Sequence, residues 1–315
     1  MITRARTWLS RHPQAHDHDC HVMVVGSGPR VGELVGAIQA QKHLGVKITG
    51  IVDPDSHRIG QYIGHHRVMG MARELTKIVR SRVIDMVVVV VPRSLLNDIR
   101  PAIVRLEEMG VHVLIALDGL KPSFLPGWQT EFFGQPFLSL GQRPRQNFLL
   151  SLKYRLDQML AGILLLALSP IFIFIILVLK ASSKGKVFIQ EERIGRNGRP
   201  FFQHKFRGLH GACDFFPQLV NVFWGEMSFV GPKPAYPSEI SLYQDWHWKR
   251  LTVLPGITCL DRIKGRARTN DFDALVRLDV EYIDHWSWWL DIKIFILTFP
   301  GLFLPQEEHT WEINQ

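Results

Sequence analysis

The sequence has few cysteines and no pattern that would let them bind a metal. Its three cysteines, Cys20, Cys213 and Cys259, lie far apart, with no CxxC pair and no histidines at metal-ligand spacing. Such a set is typical of reduced cytosolic thiols rather than of a disulfide framework or a zinc site. The first 19 residues are basic and rich in histidine but lack an apolar core. We therefore expect no signal peptide.

The composition gives no indication of disorder. Hydrophobic residues make up 46% of the chain, which is compatible with well-formed cores, and 315 residues leave room for two domains of ordinary size. The formal net charge of +8 favours an anionic partner, such as a nucleic acid, an anionic lipid surface or a nucleotide substrate. A folded two-domain protein with an anionic partner is expected.

One segment, from Gln158 to Leu179, is uncharged over its whole length. About 20 apolar residues span the core of a bilayer as a helix, and a buried helix of a soluble protein would be shorter. Basic residues flank the segment on both sides: Lys153 and Arg155 precede it, and Lys180, Lys184, Lys186, Arg193 and Arg196 follow it. The positive-inside rule therefore places both flanks in the cytoplasm.

Ser169 and Pro170 divide this segment near its middle. Pro170 lacks a backbone N–H and its ring clashes with the carbonyl group of Leu166, which bends or breaks a helix. The Ser169 hydroxyl can satisfy a freed backbone group in lipid. A re-entrant membrane helix hairpin over residues 152–180, which enters the membrane without crossing it, agrees with the break and with the flanking charges. A kinked single-pass helix and a core helix are the alternatives.

Short apolar runs alternate with helical stretches in the first half of the chain. The runs His21–Val25, Val46–Val52, Met86–Val91 and Val111–Ala116 are predicted to be strands, separated by helical stretches such as Val31–Leu44 and Leu95–Met109. This alternation is typical of a parallel, doubly wound sheet. We predict an α/β fold with a Rossmann-like domain over residues 20–140, after a basic tail at residues 1–19.

Glycines follow the first predicted strand, and an aspartate follows the second. Gly26, Gly28 and Gly32 lie at the turn into the first helix, and Asp53 lies where a dinucleotide-binding fold places its ribose-binding carboxylate. The third glycine comes one residue late for the G-x-G-x-x-G fingerprint. Two interpretations stay open: these residues bind a nucleotide cofactor of unknown identity, or the domain is structural or regulatory and has no ligand.

Prolines and glycines between residues 117 and 148 place the linker at residues 141–150. A membrane-associated domain over residues 151–304 and a short tail at residues 305–315 follow. Clustered tryptophans at residues 286–289 precede an apolar stretch. This combination suits the headgroup interface of a membrane or an ordinary aromatic core helix.

Several motifs follow one another in order through the second half of the chain. They are Val187-Phe188, Glu192–Gly198, Lys205-Phe206-Arg207, Asp214 with Pro217-Gln218-Leu219, Gly225–Pro234, Pro255–Thr258, Gly265-Arg266, Leu278-Asp279 and Tyr282. The series resembles the bacterial sugar transferases, the monotopic polyprenyl-phosphate phosphoglycosyl transferases. The resemblance covers about residues 150–300, and its specificity lies in the number of motifs and their order.

The resemblance implies a mainly helical α+β phosphoglycosyl transferase domain at the cytoplasmic face of the bacterial inner membrane. Members of the family transfer a sugar 1-phosphate from a UDP-sugar to polyprenyl phosphate, usually undecaprenyl phosphate, and so initiate exopolysaccharide, capsule or O-antigen assembly. Membrane lipid, polyprenyl phosphate and a UDP-sugar are the expected partners. Nucleic acid is not expected, and self-association into a homo-oligomer is left open. The Ser169-Pro170 break resembles the family's re-entrant helix.

The chemistry of such a transfer can be argued from charge. A carboxylate attacks a phosphoryl group and forms an acyl phosphate, which splits one transfer into two displacements. A divalent cation offsets the charge of the diphosphate, and Mg²⁺ suits carboxylate and phosphate oxygens. By resemblance, Asp214 is the nucleophile and a ligand of Mg²⁺, and Asp279 belongs to the polar site. By the same resemblance, the residues that contact phosphate are Lys205, Arg207, Lys233 and Arg266.

Some positions depart from the family pattern. Phe215 follows Asp214, whereas a glutamate follows the family nucleophile, and a phenyl ring cannot carry a proton or bind a metal. Only residues 208–213 separate Arg207 from Asp214, where the family has a longer segment with a functional arginine. Lys233 replaces an arginine and so exchanges a bidentate fork for a point charge. The residues that replace the usual glycine, aromatic residue and glutamine of a later motif are Cys259, Asp261 and Arg262.

Two classes of function stay open on these grounds. The first is a working or weakened phosphoglycosyl transferase. The second is a catalytically silent paralogue that binds lipid, nucleotide sugar or a partner enzyme. A soluble NAD-dependent oxidoreductase is the least supported class, because it would leave the membrane segment and the whole motif series unused.

Overall fold

The structure is a computed structural model that describes residues 19–116, 129–140, 144–182, 187–207, 212–263 and 271–302. The chain divides after Ser151 into two compact units. The predicted linker, residues 141–150, lies beside this division, and residues 144–150 of it are the beginning of a helix.

A mixed sheet of eight strands organises the described part of the N-terminal unit. The strands are β1 (Cys20–Val25), β2 (Val46–Asp53), β3 (Tyr62–Ile63), β4 (His66–Met71), β5 (Met86–Val89), β6 (His112–Ala116), β7 (Gln129–Phe132) and β8 (Gln135–Leu140). Their order across the sheet is β3-β4-β2-β1-β5-β6-β8-β7. The five central strands from β4 to β6 are parallel, whereas β3, β8 and β7 pair antiparallel at the edges. The centre of the sheet is therefore Rossmann-like.

The predicted strands correspond to β1, β2, β5 and β6. All of β5 and most of β1 are buried, which explains their continuous apolar sequences. The sequence pattern does not predict β3, β4, β7 and β8, because β3 has only two residues and the other three are polar or are interrupted by glycine or proline. Pairing with neighbouring strands forms these edge elements.

Three helices in the described part of this unit complete the alternation: α1 (Pro29–Ala40), α2 (Leu75–Ser81) and α3 (Leu96–Glu108). Pro29 occupies the beginning of α1, where its missing N–H is not needed. The apolar face of α1 packs into the main core with residues of β1 and β2. Helical spacing of its buried side chains produces this face: Val31, Leu34, Val35 and Ile38.

A bent pair of helices leads into the C-terminal unit: α4 (Pro144–Ala167) and α5 (Ser169–Ser182). No single helix in the described part of the chain is long and apolar enough to cross a membrane. The two helices of this pair together have the length and apolar composition to do so, and they are bent by 63°. Pro170 has no N–H to offer the Leu166 carbonyl group, and the Ser169 hydroxyl donates to that group instead, at 2.8 Å. The sequence therefore places the break correctly.

Small sheets and short helices make up the rest of the described C-terminal unit. Its further elements are β9 (Phe188–Ile194), β10 (Pro200–Phe206), α6 (Ala212–Phe223), β11 (Ser228–Val230), β12 (Gly256–Thr258), α7 (Phe272–Asp284) and α8 (Trp288–Leu302), with 3₁₀ helices at Pro237–Leu242 and Asp245–Thr252. Strands β9 and β10 form an antiparallel hairpin, and β11 pairs parallel with β12. Of the clustered tryptophans, Trp286 is buried and Trp289 is exposed.

Candidate functional site

The site predicted from the motifs is built on the packing of α6 along β10. Asn221 on α6 is fully buried, donates to the Phe202 carbonyl group at 2.8 Å and accepts from the His204 backbone N–H at 3.1 Å. Asp214 lies two helical turns before Asn221, near the beginning of α6, and Lys205 lies near the end of β10. Because only a short segment joins the two elements, the backbones of Asp214 and Lys205 lie at the same end of this pair.

The two cationic residues at the end of β10 have different surroundings. Lys205 is buried, and its Nζ lies 3.2 Å from Glu191 Oε2. Arg193 Nη2 donates to the same oxygen at 2.7 Å, so Glu191 bridges two cations. Arg207 is exposed, and its backbone N–H donates to the Val187 carbonyl group at 2.9 Å. Lys205 therefore belongs to an ion-pair network, whereas Arg207 faces solvent beside it.

The glycines of two motifs meet at the pairing of β11 with β12. Gly231 N donates to Thr258 O at 3.0 Å, and Gly256 N donates to Pro232 O at 2.9 Å. A Cβ at position 256 would lie 2.1 Å from Gly231 N, and a Cβ at position 231 would lie 2.5 Å from Leu254 O. Glycine is needed at both positions because two backbones approach closely there. The motifs therefore shape the loop Gly231–Pro234, which we call the Lys233 loop.

Two buried side chains hold the main chain of Lys233. Arg250 Nη2 donates to the Lys233 carbonyl group at 3.0 Å, and the Asp279 carboxylate accepts a bond from the Lys233 backbone. Arg250 and Asp279 pair with each other at 2.9 Å. Arg250 Nη1 also donates to Tyr243 Oη at 3.0 Å and lies 3.5 Å from Glu239 Oε2. Asp279 is thus placed behind the Lys233 loop, as part of a buried clamp.

Burial controls the ionisation of this clamp. It raises the pKa of Asp279 from 3.8 to about 6, although Arg250 opposes the shift. It also raises the pKa of Tyr243 to about 12. For Arg250, burial lowers the pKa, but the neighbouring Asp279, Tyr243 and Glu239 together raise it above its ordinary value. At neutral pH the clamp therefore holds a charged guanidinium against an ionised Asp279.

An aromatic cluster connects the site to the second helix of the bent pair. The Phe172 ring on α5 lies 5.7 Å from the Phe206 ring at the end of β10 and 6.3 Å from the Phe216 ring on α6. Phe188 on β9 stacks on Phe206 at 5.3 Å. Phe215, which follows the predicted nucleophile, meets the Phe216 ring edge-on at 6.3 Å. The beginning of α5 therefore packs directly against the elements that carry Lys205 and Asp214.

Some predicted residues lie outside the described part of the chain. They are Arg266 and the side chain of Asp214. Among the described residues, no group of three or more histidines, cysteines, aspartates or glutamates could hold a metal ion. Mg²⁺ is usually held by one or two carboxylates together with substrate phosphates, so a single aspartate and a diphosphate fit its donor preference.

The fold itself accounts for some of the residues that were predicted to bind a nucleotide at the turn between β1 and α1. Gly26 has a φ of +114°, and a Cβ there would lie 2.1 Å from Val90 O. Asp53 is buried, accepts from the Ser27 hydroxyl on one oxygen and accepts from the Asp55 backbone N–H at 2.7 Å on the other. Gly26 and Asp53 thus have structural roles that do not require a nucleotide.

The other side of this turn is more open. Gly28 precedes α1, Gly32 lies within it, and a Cβ at either position would meet nothing within 4 Å. Arg58 reaches over the turn, and its Nη1 donates to the Ser27 hydroxyl at 3.0 Å and to the Ser27 carbonyl group at 3.2 Å. The space beside Gly28 and Gly32 agrees with a nucleotide site without requiring one.

No sequence pattern identifies the residues that hold the site together. Arg250 and Glu239 lie in irregular 3₁₀ segments without a periodic pattern, so nothing in the sequence distinguishes them from surface charges. Arg193 is different because it lies within the Glu192–Gly198 motif. The motif could therefore have identified Arg193 as a site residue. Its guanidinium lies 3.3 Å from the centre of the Tyr236 ring.

Comparison with known proteins decides the family. A family model described as bacterial sugar transferase matches residues 148–214 and 210–304. The uncharacterized sugar transferase EpsL of Bacillus subtilis is 33% identical over 172 residues, which cover 47% of this chain and 85% of EpsL. The exopolysaccharide production protein ExoY of Rhizobium meliloti is 31% identical over 196 residues, which cover 48% of this chain and 85% of ExoY. The chain belongs to the bacterial sugar transferase family.

This sugar transferase also matches longer relatives. One is the UDP-glucose:undecaprenyl-phosphate glucose-1-phosphate transferase of Xanthomonas campestris, 28% identical over 267 residues, which cover 73% of this chain and 55% of the relative. The chain thus spans about half the length of that relative. The sugar transferase match includes the bent helix pair, α6, the Lys233 loop and α7.

The N-terminal unit of the sugar transferase matches a second family model, described as a CoA-binding domain, over residues 1–116. Among solved structures, the Rex-family repressor RSP resembles 37% of this chain and 53% of its own chain, with 18% identity and a TM-score of 0.30. We draw no conclusion from so weak a structural similarity.

Proposed function

We propose that this sugar transferase moves a sugar 1-phosphate from a UDP-sugar to polyprenyl phosphate, with undecaprenyl phosphate as the acceptor, and so initiates exopolysaccharide, capsule or O-antigen assembly. One observation carries the proposal. The family match covers α6, the Lys233 loop and the bent apolar helix pair, and α5 packs against the elements that carry Lys205 and Asp214. A water-soluble donor and a lipid acceptor can meet at such a place.

In the proposed reaction, the Asp214 carboxylate attacks the phosphorus that bears the sugar. The bond from this phosphorus to the bridging oxygen breaks, and UMP leaves with the electron pair. An oxygen of polyprenyl phosphate then attacks the aspartyl phosphate, so that the acyl bond breaks and the carboxylate of Asp214 is restored. The product is a polyprenyl diphosphate sugar.

Four cationic residues would hold the phosphate oxygens during these steps: Lys205, Arg207, Lys233 and Arg266. For Lys233, the clamp of Arg250 and Asp279 supports this role because it fixes the main chain from which the ammonium group extends. Bound Mg²⁺, held by Asp214 and the diphosphate, would offset the negative charge of the donor.

We further propose that α4 and α5 form a re-entrant hairpin at the cytoplasmic face of the bacterial inner membrane. The 63° bend and the hydroxyl bond at the break support this topology. So do the large apolar side chains that these helices expose: Met159, Leu160, Ile163, Leu166, Ile171, Ile173, Phe174, Leu177 and Val178. Sedimentation of the protein with membranes after lysis without detergent tests the placement, and a freely soluble protein would contradict it.

Release of UMP tests the reaction. Protein in detergent, given Mg²⁺, undecaprenyl phosphate and a panel of UDP-sugars, should release UMP from at least one donor. Asp214→Asn should lower that release by more than about 10³-fold, because the nucleophile is lost. Asp98→Asn, an exposed change in α3 of the N-terminal unit, is the matched control and should behave as wild type. Release that survives Asp214→Asn would contradict the proposed intermediate.

A second function is favoured by one residue, Phe215. The resemblance implies a glutamate there, and this phenyl ring packs against Phe216 instead. In this second function, the chain is a catalytically silent paralogue that binds lipid, nucleotide sugar or a partner enzyme without turnover. Absence of UMP from every donor, with UDP-sugar binding retained in calorimetry, would select this alternative. Phe215→Glu should raise UMP release if only the paired carboxylate is missing.

A further inference from the structure

The amino group of Lys153 is buried against β11, the strand that leads into the Lys233 loop. Lys153 precedes the uncharged segment of α4, and only 2% of it is exposed. Its Nζ donates to the Ser228 hydroxyl, to Asp157 Oδ2 at 2.9 Å and to the Val230 carbonyl group at 3.1 Å. An ammonium group has three protons, so each of them has a partner here.

Two further helices reach the same point. Tyr282 Oη on α7 lies 3.1 Å from Val230 O and 2.7 Å from Asp291 Oδ1, so its single proton can serve either oxygen. Asp291 on α8 accepts from Trp286 Nε1 at 3.0 Å and lies 3.5 Å from Lys153 Nζ. Helices α4, α7 and α8 therefore meet in one buried polar network around Val230, which we call the Val230 network.

The Val230 network acts on the residue that directly precedes the Lys233 loop. Within that loop, the bonds to β12 and to the buried clamp hold the main chain from Gly231 to Lys233. Val230 directly precedes this loop and lies at most about 10 Å of chain before Lys233, so holding Val230 fixes the end at which the loop begins.

We propose that Lys153 is a positioning residue, which fixes the first helix of the bent pair to β11, the strand that leads into the Lys233 loop. This inference rests on the proposed function, in which the acceptor phosphate comes from the membrane and is held by Lys233. By holding Val230, Lys153 sets where the loop stands relative to the helix that enters the lipid. The donor and the acceptor then meet at a site of fixed geometry.

The kinetic test compares a single variant with a charge-balanced one. Lys153→Met should lower kcat for UMP release about 10²-fold, because small displacements of a site have effects of that size. It should also lower the melting temperature, because Asp157 and Asp291 both lose their cationic partner. The double variant Lys153→Met/Asp291→Asn, in which only Asp157 still lacks its cation, should regain part of the melting temperature but not kcat. Recovery of both would show that the pair is merely structural and would overturn the proposal.

The matched control removes a lysine from an ion pair outside the network. Lys249 Nζ lies 2.6 Å from Asp284 Oδ1, and both side chains are partly exposed. Lys249→Met should retain wild-type kcat, because exposed pairs contribute little. If Lys153→Met does not fold, Tyr282→Phe removes only a hydroxyl group from the Val230 network and should still lower kcat. An unchanged kcat in Tyr282→Phe would count against the proposal.

A measurement without turnover separates this inference from the proposed function. Hydrogen–deuterium exchange of the peptide over residues 228–235 should become faster in Lys153→Met at the amides of Gly231 and Lys233, while the β9–β10 hairpin keeps its protection. Unchanged exchange at these amides would overturn the inference. If the wild-type protein releases no UMP, the proposed function fails, and the exchange result still decides whether Lys153 holds the loop.

Discussion

Replacing Gly256 with alanine tests whether the contact between the two glycine motifs maintains the Lys233 loop. The new Cβ would lie 2.1 Å from Gly231 N and 2.5 Å from Thr258 O, whereas ordinary contacts begin at 3.4 Å. The backbones must therefore move apart by about 1.3 Å, the difference between 3.4 and 2.1 Å. That movement breaks the bonds from Gly256 N to Pro232 O and from Gly231 N to Thr258 O.

The magnitude follows from these two bonds. Each contributes about 1 kcal/mol net, and a buried group left without a partner costs a further 1–3 kcal/mol or so, so we expect a loss of about 3–5 kcal/mol in unfolding free energy. Lys233 should shift with the loop, and kcat for UMP release should fall about 10²-fold.

Urea unfolding followed by tryptophan fluorescence measures this loss, because seven of the nine tryptophans lie after residue 151, in the C-terminal unit. Gly36→Ala is the matched control. Position 36 lies inside α1 of the N-terminal unit, and a Cβ there would meet nothing within 4 Å, so alanine should leave the urea midpoint of the C-terminal unit unchanged. If Gly256→Ala unfolds at the wild-type urea concentration, the close approach of the two motifs does not hold the loop.

Three further predictions follow from individual residues. Gly26→Ala should destabilise the N-terminal unit by about 3 kcal/mol or more in thermal unfolding, because its Cβ would lie 2.1 Å from Val90 O at a φ of +114°. Gly28→Ala should be nearly neutral, and equal stability of the two variants would refute the argument. The pKa of Asp279 is raised from 3.8 to about 6, so the folded state binds this proton more tightly than the unfolded chain does. The unfolding free energy should therefore fall by up to about 3 kcal/mol as the pH rises between those values. Asp279→Asn should flatten this slope in urea titrations at several pH values, and an unchanged slope would contradict the assignment. Burial raises the pKa of the Cys259 thiol, so Cys259 should react with Ellman's reagent at pH 8 only after denaturation; rapid reaction in the native protein would show that it is accessible.

Local patterns predicted the centre of the N-terminal sheet. Strands β1 and β5 are continuous apolar runs, and such runs are recognisable without knowledge of their neighbours. The edge strands β7 and β8 escaped prediction because their polar and proline-containing residues become strands only by pairing with β6 and with each other. Similarly, Ser169 and Pro170 identified the break between α4 and α5, because a proline acts on the backbone within one turn.

The candidate site was predictable only in part. Motif order located the backbones of Lys205, Asp214 and Lys233 in the unit that carries the bent pair. The roles inside the site were harder to predict. Asp279 was expected to belong to the polar site, and the structure places it 2% exposed against Arg250. A motif identifies a position, but it does not separate a residue that meets substrate from one that supports a loop.

By itself, the sequence determined the alternation of strands and helices, the position of the break in the apolar segment and the order of the motifs. Each of these depends on residues within a few positions of one another. Lys153 pairs locally with Asp157, but tertiary structure alone decided the buried charge pairs between distant residues, as Arg250 forms with Asp279 and Lys153 with Asp291. A buried charge is tolerated only beside a partner. The partner lies far away in the sequence, and only the packing of the helices brings the two together.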